Sequence, residues 1–434
     1  MENTIELPEY WTVNKKIIFR FLLVLFCLYI VLNPNGVILG DALAGSYLKY
    51  FHGLITWLAA HALHLAKPIT IYTNGSGDTT YDYLIIVFII IASAISCLVW
   101  SALDKKPRNY NKLFYWLTVI VRYYIAITMF DYGFAKVIKL QFPAPGIARL
   151  TEPIGDTSPM GLAWTYMGYS TGFNYFTGFA EVICGVLLLF RRTSVAGALM
   201  GLAVAGNIMA VNYAFDIPVK LLSTTLVVMC LFLLSGHATR LINFLFLNKP
   251  APAADLVTHN FKKRWKNITL ITVKYLLIAY AIVSNLDNDI TYAKTYGDGA
   301  QKPPLYGIYN VVTFIQNHDT IPPLATNENR WRRLMINYPG YAKLVSMTDS
   351  SAYINFKPDT AKKRIVAWVG EKGKDSSIFV YRIIKTGLTK PDQLWIKGKW
   401  GPDTLTILFD KYDEHRFKLM NRGFHWINEY PNNQ

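Results

Sequence analysis

Seven apolar runs, each near the roughly 20 residues that a helix needs to cross a bilayer, fill this chain as far as Ser284. They are Ile17–Leu32, Tyr83–Leu103, Leu113–Phe134, Phe176–Phe190, Ser194–Phe215, Val219–Ser235 and Ile268–Ser284. Hydrocarbon offers no hydrogen-bond partners, so runs of this length fold as helices that satisfy their own backbone. With 52% hydrophobic and 17% charged residues, the composition fits a membrane-embedded chain better than a soluble two-domain one.

The loops give a direction. Lys15, Lys16 and Arg20 precede or open the first run, Lys105, Lys106, Arg108 and Lys112 join the second to the third, and Arg191 and Arg192 join the fourth to the fifth. Arg240, Lys262, Lys263, Arg264 and Lys266 precede the seventh. Every second loop is basic, which predicts a cytoplasmic amino terminus and an extracytoplasmic carboxyl domain in a multi-pass protein of the bacterial cytoplasmic (inner) membrane. From Asn285 onward 21 lysines and arginines face 15 acids, a balance of +6, which leaves +10 of the total +16 for the membrane part. Basic loops of this kind meet anionic headgroups, not nucleic acid, so the lipid bilayer is the expected partner. Ala42-Leu43-Ala44 offers an alternative in which the first run is a cleaved signal peptide, with the rest of the topology unchanged.

The pattern predicts five regions: a two-span region at 1–112 with an outer amphipathic helix over Gly45–Ala66, a four-helix bundle at 113–236, a cytoplasmic linker at 237–267, a seventh span at 268–284, and a β-rich domain at 285–434. Trp164–Tyr175 reads as a second surface helix, and Asn74–Asp78 and Gly155–Pro159 as turns. Strands are expected at Ile308–Ile315, Arg332–Asn337, Ala352–Phe356, Ile365–Val369, Ile378–Ile384, Gln393–Lys399, Leu405–Phe409 and Phe417–Asn421, forming an antiparallel barrel or sandwich. The aromatic tail Gly423–Ile427 is expected to close its core.

Ionisable and amide side chains inside the third to sixth runs are the candidate site, because such groups are costly in hydrocarbon and usually mark function. Alternation of the runs places Asp131, Lys136, Glu181, Asn207, Asn212, Asp216 and Lys220 in the outer half of the bilayer, with Arg122 near its middle. Glu181, between Phe179 and Val182, needs a cationic partner such as Arg122 or Lys136. Asn212, Asp216 and Lys220, spaced by four, would share one helix face if Pro218 did not break the helix. Interfacial anchoring and local salt bridges are the plainer account of the same residues. Gly197, Gly201 and Ala205 read as a helix-packing strip.

Arg122, the Gly133-Phe-Ala-Lys136 element, Glu181 followed by Gly185 and Leu187-Leu-Leu189, a basic turn and a small-residue helix together resemble the DoxX family of four-helix bacterial membrane proteins, over Arg122 to Leu234. The resemblance implies a DoxX-like core and association with redox partners, because one branch of the family is the membrane part of a thiosulfate:quinone oxidoreductase. Arg122, Lys136 and Glu181 match the family pattern, and the extra spans and the β-rich domain depart from it.

Two functions follow. In one, an oxidoreductase subunit, an outward-facing site takes a quinone headgroup, with Glu181 moving protons, Lys136 or Lys220 bonding a carbonyl oxygen and Arg122 balancing charge. Asp131, Asn207, Asn212 and Asp216 line that site. In the other, a non-catalytic anchor, the helices hold a β domain that binds an envelope partner or ligand. No bound cofactor and no metal are expected: all four cysteines lie in apolar runs, and His52 falls on the opposite helix face from His61. Gly168-Tyr-Ser170-Thr-Gly172 matches a hydrolase elbow in letters but lacks the strand before it.

Overall fold

A computed structural model describes residues 10–34, 40–65, 69, 75–106, 108–253, 262–370, 376–387 and 391–432. The signal-like Ala42-Leu43-Ala44 lies within a helix whose side chains there fall outside the described residues. The helices are α1 (Val13–Leu32), α2 (Gly40–His61), α3 (Thr80–Leu103), α4 (Asn111–Val137), α5 (Ile147–Leu150), α6 (Pro159–Tyr169), α7 (Thr171–Leu189), α8 (Ser194–Ala214), α9 (Lys220–Ser235), α10 (Ala238–Leu245), α11 (Arg264–Tyr296) and α12 (Lys418–Asn421). The chain forms two compact units. One combines residues up to Phe142 with Pro159–Ala293, and the other combines Pro143–Ser158 with Lys294 onward.

In the helical unit, among the described residues, five helices are long and apolar enough to cross a membrane: α3, α4, α7, α8 and α11. Taken together, α9 and α10, which bend by 83° at their junction, make a sixth. Of the seven expected runs, α1 falls outside this set because Lys15, Lys16 and Arg20 crowd its first turns. The last apolar run does not stop at Ser284. It continues helically to Tyr296, since nothing between Asn285 and Tyr296 is a glycine or proline that would end it.

The most extensive helix pair is α4 with α7, and glycines set its closeness. A Cβ on Gly133 would lie 2.8 Å from Val182 Cγ2, and one on Gly178 would lie 2.8 Å from Val137 Cγ2 and 2.9 Å from the Gly133 carbonyl oxygen. Gly185 makes the same approach to the Ala126 carbonyl at 3.0 Å. Small residues at this spacing let backbones meet where lipid provides no hydrophobic drive. The expected α8 strip packs as predicted: Gly197 lies against Leu187 and Leu188, and Gly201 sits between the sulfurs of Cys184 and Cys230.

The other unit is a closed barrel. Its strands are β1 (Gly307–Gln316), β2 (Asp319–Thr320), β3 (Trp331–Tyr338), β4 (Gly340–Ser346), β5 (Ser351–Asp359), β6 (Arg364–Trp368), β7 (Ser377–Ile384), β8 (Gln393–Trp400) and β9 (Asp403–Tyr412). β1 and β3 to β9 pair antiparallel in sequence order, and β9 returns to β1 over Ile308↔Tyr412 through Gln316↔Leu405. The two-residue β2 only extends the hairpin at the end of β1.

Eight strands enclose a space that side chains can fill. Alternate residues do so: Leu394 and Ile396, Leu405, Ile407 and Phe409, and Phe379 and Tyr381 are all buried, with Trp331 and Phe314 among them. The barrel is therefore a packed core and not a lumen. The structure corrects the strand expected at Phe417–Asn421, which is the short helix α12 with its cap, following a 3₁₀ turn at Glu414–Arg416. A closed barrel leaves no edge for one more strand. The missing eighth strand is β4, which follows β3 directly at Pro339-Gly340, where Gly340 takes φ +84°. The tail is corrected too, since Phe424, Trp426 and Ile427 are exposed and do not close the core.

Pro143–Ser158 leaves the helices after α4 and joins this unit. Ile147 packs with Ile308 and Met335, and the Thr151 hydroxyl donates to Met335 Sδ at 2.9 Å.

Candidate functional site

Among the predicted polar residues, Lys136 and Glu181 meet. The last turn of α4 carries Lys136 and the middle of α7 carries Glu181, and the glycine contacts bring those two helices close enough for an ion pair. Lys136 Nζ lies 2.8 Å from both carboxylate oxygens of Glu181, with the two side chains 6% and 2% exposed. The rings of Tyr132 and Phe142 flank the ammonium at 5.5 and 5.8 Å. Of the two partners offered for Glu181 by the sequence, the structure selects Lys136. Asp131 is half-buried on the same helix.

A second group forms where α8 turns into α9. The turn is not helical: α8 ends at Ala214, Asp216 takes φ +51°, and α9 begins after Pro218. Asn212, Asp216 and Lys220 therefore do not continue along one helix face. Lys220 Nζ pairs with Asp216 at 2.9 Å, and Asp216 itself is 86% exposed. Asn212 is buried and donates to the Val219 carbonyl at 3.2 Å and to Ser223 Oγ at 3.1 Å. Asn207 is exposed on α8, apart from both groups.

Asp78, read from the sequence as turn material, is the organiser of this corner. Its carboxylate accepts from the backbone N–H of Lys220 at 2.8 Å and of Leu221 at 3.0 Å, capping the start of α9 from a distant loop. The adjacent Gly77 N–H donates to the Pro218 carbonyl at 2.8 Å. A lone aspartate in a polar loop gives no sign of such a partner, so local sequence could not have found it.

Arg122 joins neither group. It stacks beside Tyr123 and lines an open cavity of about 1390 Å³ bordered by α1, α4, the α7–α8 turn, α9 and α10. The same end of the helical unit holds a network that sequence reading credited only with topology. Arg20, 3% exposed, donates to the Tyr110 hydroxyl at 2.6 Å, to Ser101 Oγ at 2.9 Å and to the Asp104 carbonyl at 3.2 Å. The Tyr110 hydroxyl donates to Asp104 Oδ2 at 2.7 Å, and that bond, with help from Arg108 and Arg20, holds the Asp104 carboxyl below its ordinary value.

The remaining motifs are structural. Ser170 caps α7 by accepting from the Phe173 N–H. His61 bonds the Trp57 carbonyl, His52 bonds the Tyr81 hydroxyl, and no three metal-ligating side chains converge among the described residues.

No family model matches this chain, and no solved structure matches it. Among curated proteins, the uncharacterized protein YwoB of Bacillus subtilis is 43% identical over 115 residues, which are 26% of this chain and 71% of YwoB.

Proposed function

The chain belongs to the same family as YwoB, and we propose from that starting point that it is a non-catalytic anchor of the bacterial inner membrane, carrying its β-barrel on the outer side to bind an envelope protein. The observation that carries this reading is the Lys136–Glu181 pair. Each group spends its charge on the other inside a closed helix contact, the arrangement that fixes helix register in lipid and leaves no side for a headgroup to approach. The Asp78–Lys220 corner acts likewise, tying a loop to a helix start.

The barrel supplies the recognition surface. Its interior is filled, so binding falls to the outside, where Tyr338, Tyr341 and Tyr353 stand exposed on the adjacent strands β3, β4 and β5. Tyrosines presented together on a rigid sheet are typical anchors of protein interfaces.

The second reading, a quinone-linked subunit, draws on the DoxX resemblance and on an acid and an amine held within one hydrogen bond. Two measurements, one on purified protein and one in cells, separate the readings. A quinone analogue is titrated against wild type, Glu181→Gln and Lys136→Ala, while a photo-crosslinker at Tyr341 is activated in intact cells. The anchor reading expects no saturable quinone binding and a discrete crosslinked partner that disappears in Tyr338→Ala/Tyr353→Ala. Saturable binding in wild type, lost in both charge variants that still fold, would replace it with the redox reading.

A further inference from the structure

We propose that the cavity at the basic end of the helical unit binds a phosphate-headed amphiphile, an inference that goes beyond the anchor role and does not depend on it. Lys15 from α1, Arg122 from α4, Arg191 and Arg192 from the α7–α8 turn and Arg240 from α10 all line its walls. Among the described residues, no aspartate or glutamate does. Five cations bordering one open cavity make its potential positive and attract an anion. The rule that places basic residues in cytoplasmic loops accounts for Lys15, Arg191, Arg192 and Arg240 as topology signals, but it does not require them to face a common cavity.

Arg122 falls outside that rule altogether. It stands eleven residues into α4, about 17 Å along the helix, and its Nε is buried with no hydrogen-bond partner among the described residues. Two carboxylates on the helices described are committed elsewhere: Glu181 to Lys136, and Asp104 to Arg20 and Arg108. A guanidinium at this depth needs a counter-charge, and phosphate oxygens match its planar fork of donors.

The rest of the wall favours an amphiphile over a soluble anion. Phe19, Leu22, Phe114, Phe232 and Leu241 make much of the lining apolar, which suits a hydrocarbon tail. α10 adds a route from the lipid. It turns away from α9 by 83°, and Ile242 and Leu245 are exposed on it while Arg240, Leu241 and Phe244 line the cavity. That is the build of a helix lying in the headgroup layer.

The test uses the full chain in neutral detergent. Binding of fluorescent phosphatidylglycerol and phosphatidylcholine is compared by titration, with and without millimolar inorganic phosphate, for wild type, Arg122→Gln, Arg191→Gln/Arg192→Gln and the barrel control Arg382→Gln. Phosphatidylglycerol is expected to bind more tightly than phosphatidylcholine, Arg122→Gln to lose about tenfold, the loss of one charge-assisted contact, and the double variant at least as much, while the control and the thermal melts stay unchanged. Inorganic phosphate that fails to compete identifies the lipid as the source. Phosphate that displaces the probe fully and binds alone with similar affinity overturns the amphiphile in favour of a soluble phosphate compound. Equal binding of both lipids, untouched by phosphate and by the variants, overturns the site itself.

Discussion

Removing one member of the Lys136–Glu181 pair is expected to destabilise the helical unit far more than removing both. At 2.8 Å and an effective dielectric of about 20, the attraction amounts to about 6 kcal/mol, most of which is offset by the cost of taking both charges out of water. The pair therefore contributes little net stability, yet either partner alone would be a buried, uncompensated charge. Lys136→Met or Glu181→Met should each cost about 3–5 kcal/mol, whereas Lys136→Met/Glu181→Met should come close to wild type. Unfolding in mixed micelles titrated with denaturing detergent, followed by circular dichroism, reads all four proteins as a double-mutant cycle. A double variant that loses as much as the two single variants added together would show that the two side chains do not interact, and the register argument for this pair would fail.

Two further outcomes follow from local geometry. Gly178→Val should loosen α4 from α7 by about 1–3 kcal/mol, because a Cβ there meets the Gly133 carbonyl at 2.9 Å and Val137 at 2.8 Å, and the same unfolding titration would detect it. In the barrel, burial pushes the Glu414 carboxyl up, but bonds from Lys302 Nζ at 3.0 Å and the Tyr306 hydroxyl at 2.8 Å outweigh it and hold the group below its ordinary value. A depressed folded-state value means the contribution is present above the unfolded carboxylate value of about 4.3 and fades as pH falls through the lower one. Thermal melts from neutral to acid pH should show this loss in wild type and a shallower slope in Glu414→Gln.

Much of this architecture was legible because hydrophobic period and length are local properties. The helices over α3, α4, α7 and α8 and seven of the barrel strands fall where the pattern placed them. Where reading failed, the deciding partner was distant. β4 is short, and its Lys343 and Tyr341 alternate with residues too mixed to announce a strand until β3 and β5 flank it. Phe417–Asn421 has strand-like composition, but barrel closure by β1 and β9 denied it an edge. Depth arithmetic gathered seven polar residues in the outer half, with Arg122 near the middle, whereas the rotational setting of each helix sorted them: Lys136 to Glu181, Asp216 outward with Lys220, Asn207 outward, and Arg122 to the basic cavity. Depth is countable from a sequence. The direction in which a helix faces its neighbours is set by packing, here by Gly133, Gly178 and Gly185.

The two-segment construction of the barrel unit also bears on how many times the chain crosses a bilayer. Pro143–Ser158 follows α4, and Lys294 onward follows α11, yet both fold into one body, where the Ala144 N–H donates to Asp298 Oδ1 at 2.6 Å. A single compact body lies on one side of a membrane, so an even number of crossings must separate its two segments. α7, α8 and α11 give three. If these cross, a fourth is required, and α9, whose 16 residues span about 24 Å, would supply it with local thinning of the bilayer. Within the helical unit the cavity fits the same count, because Lys15, Asn111, Arg192 and Gly236 all line it. The starts of α1 and α4, the α7–α8 turn and the end of α9 thus share one end of the helical unit. In a background with the four native cysteines replaced, Asp156→Cys and Asp319→Cys should react together with a membrane-impermeant maleimide in spheroplasts, while Arg192→Cys and Gly236→Cys should react only after lysis. Labelling of Gly236→Cys alongside Asp319→Cys would remove α9 from the crossings and leave the barrel's two segments stranded on opposite faces, a result that this fold cannot accommodate.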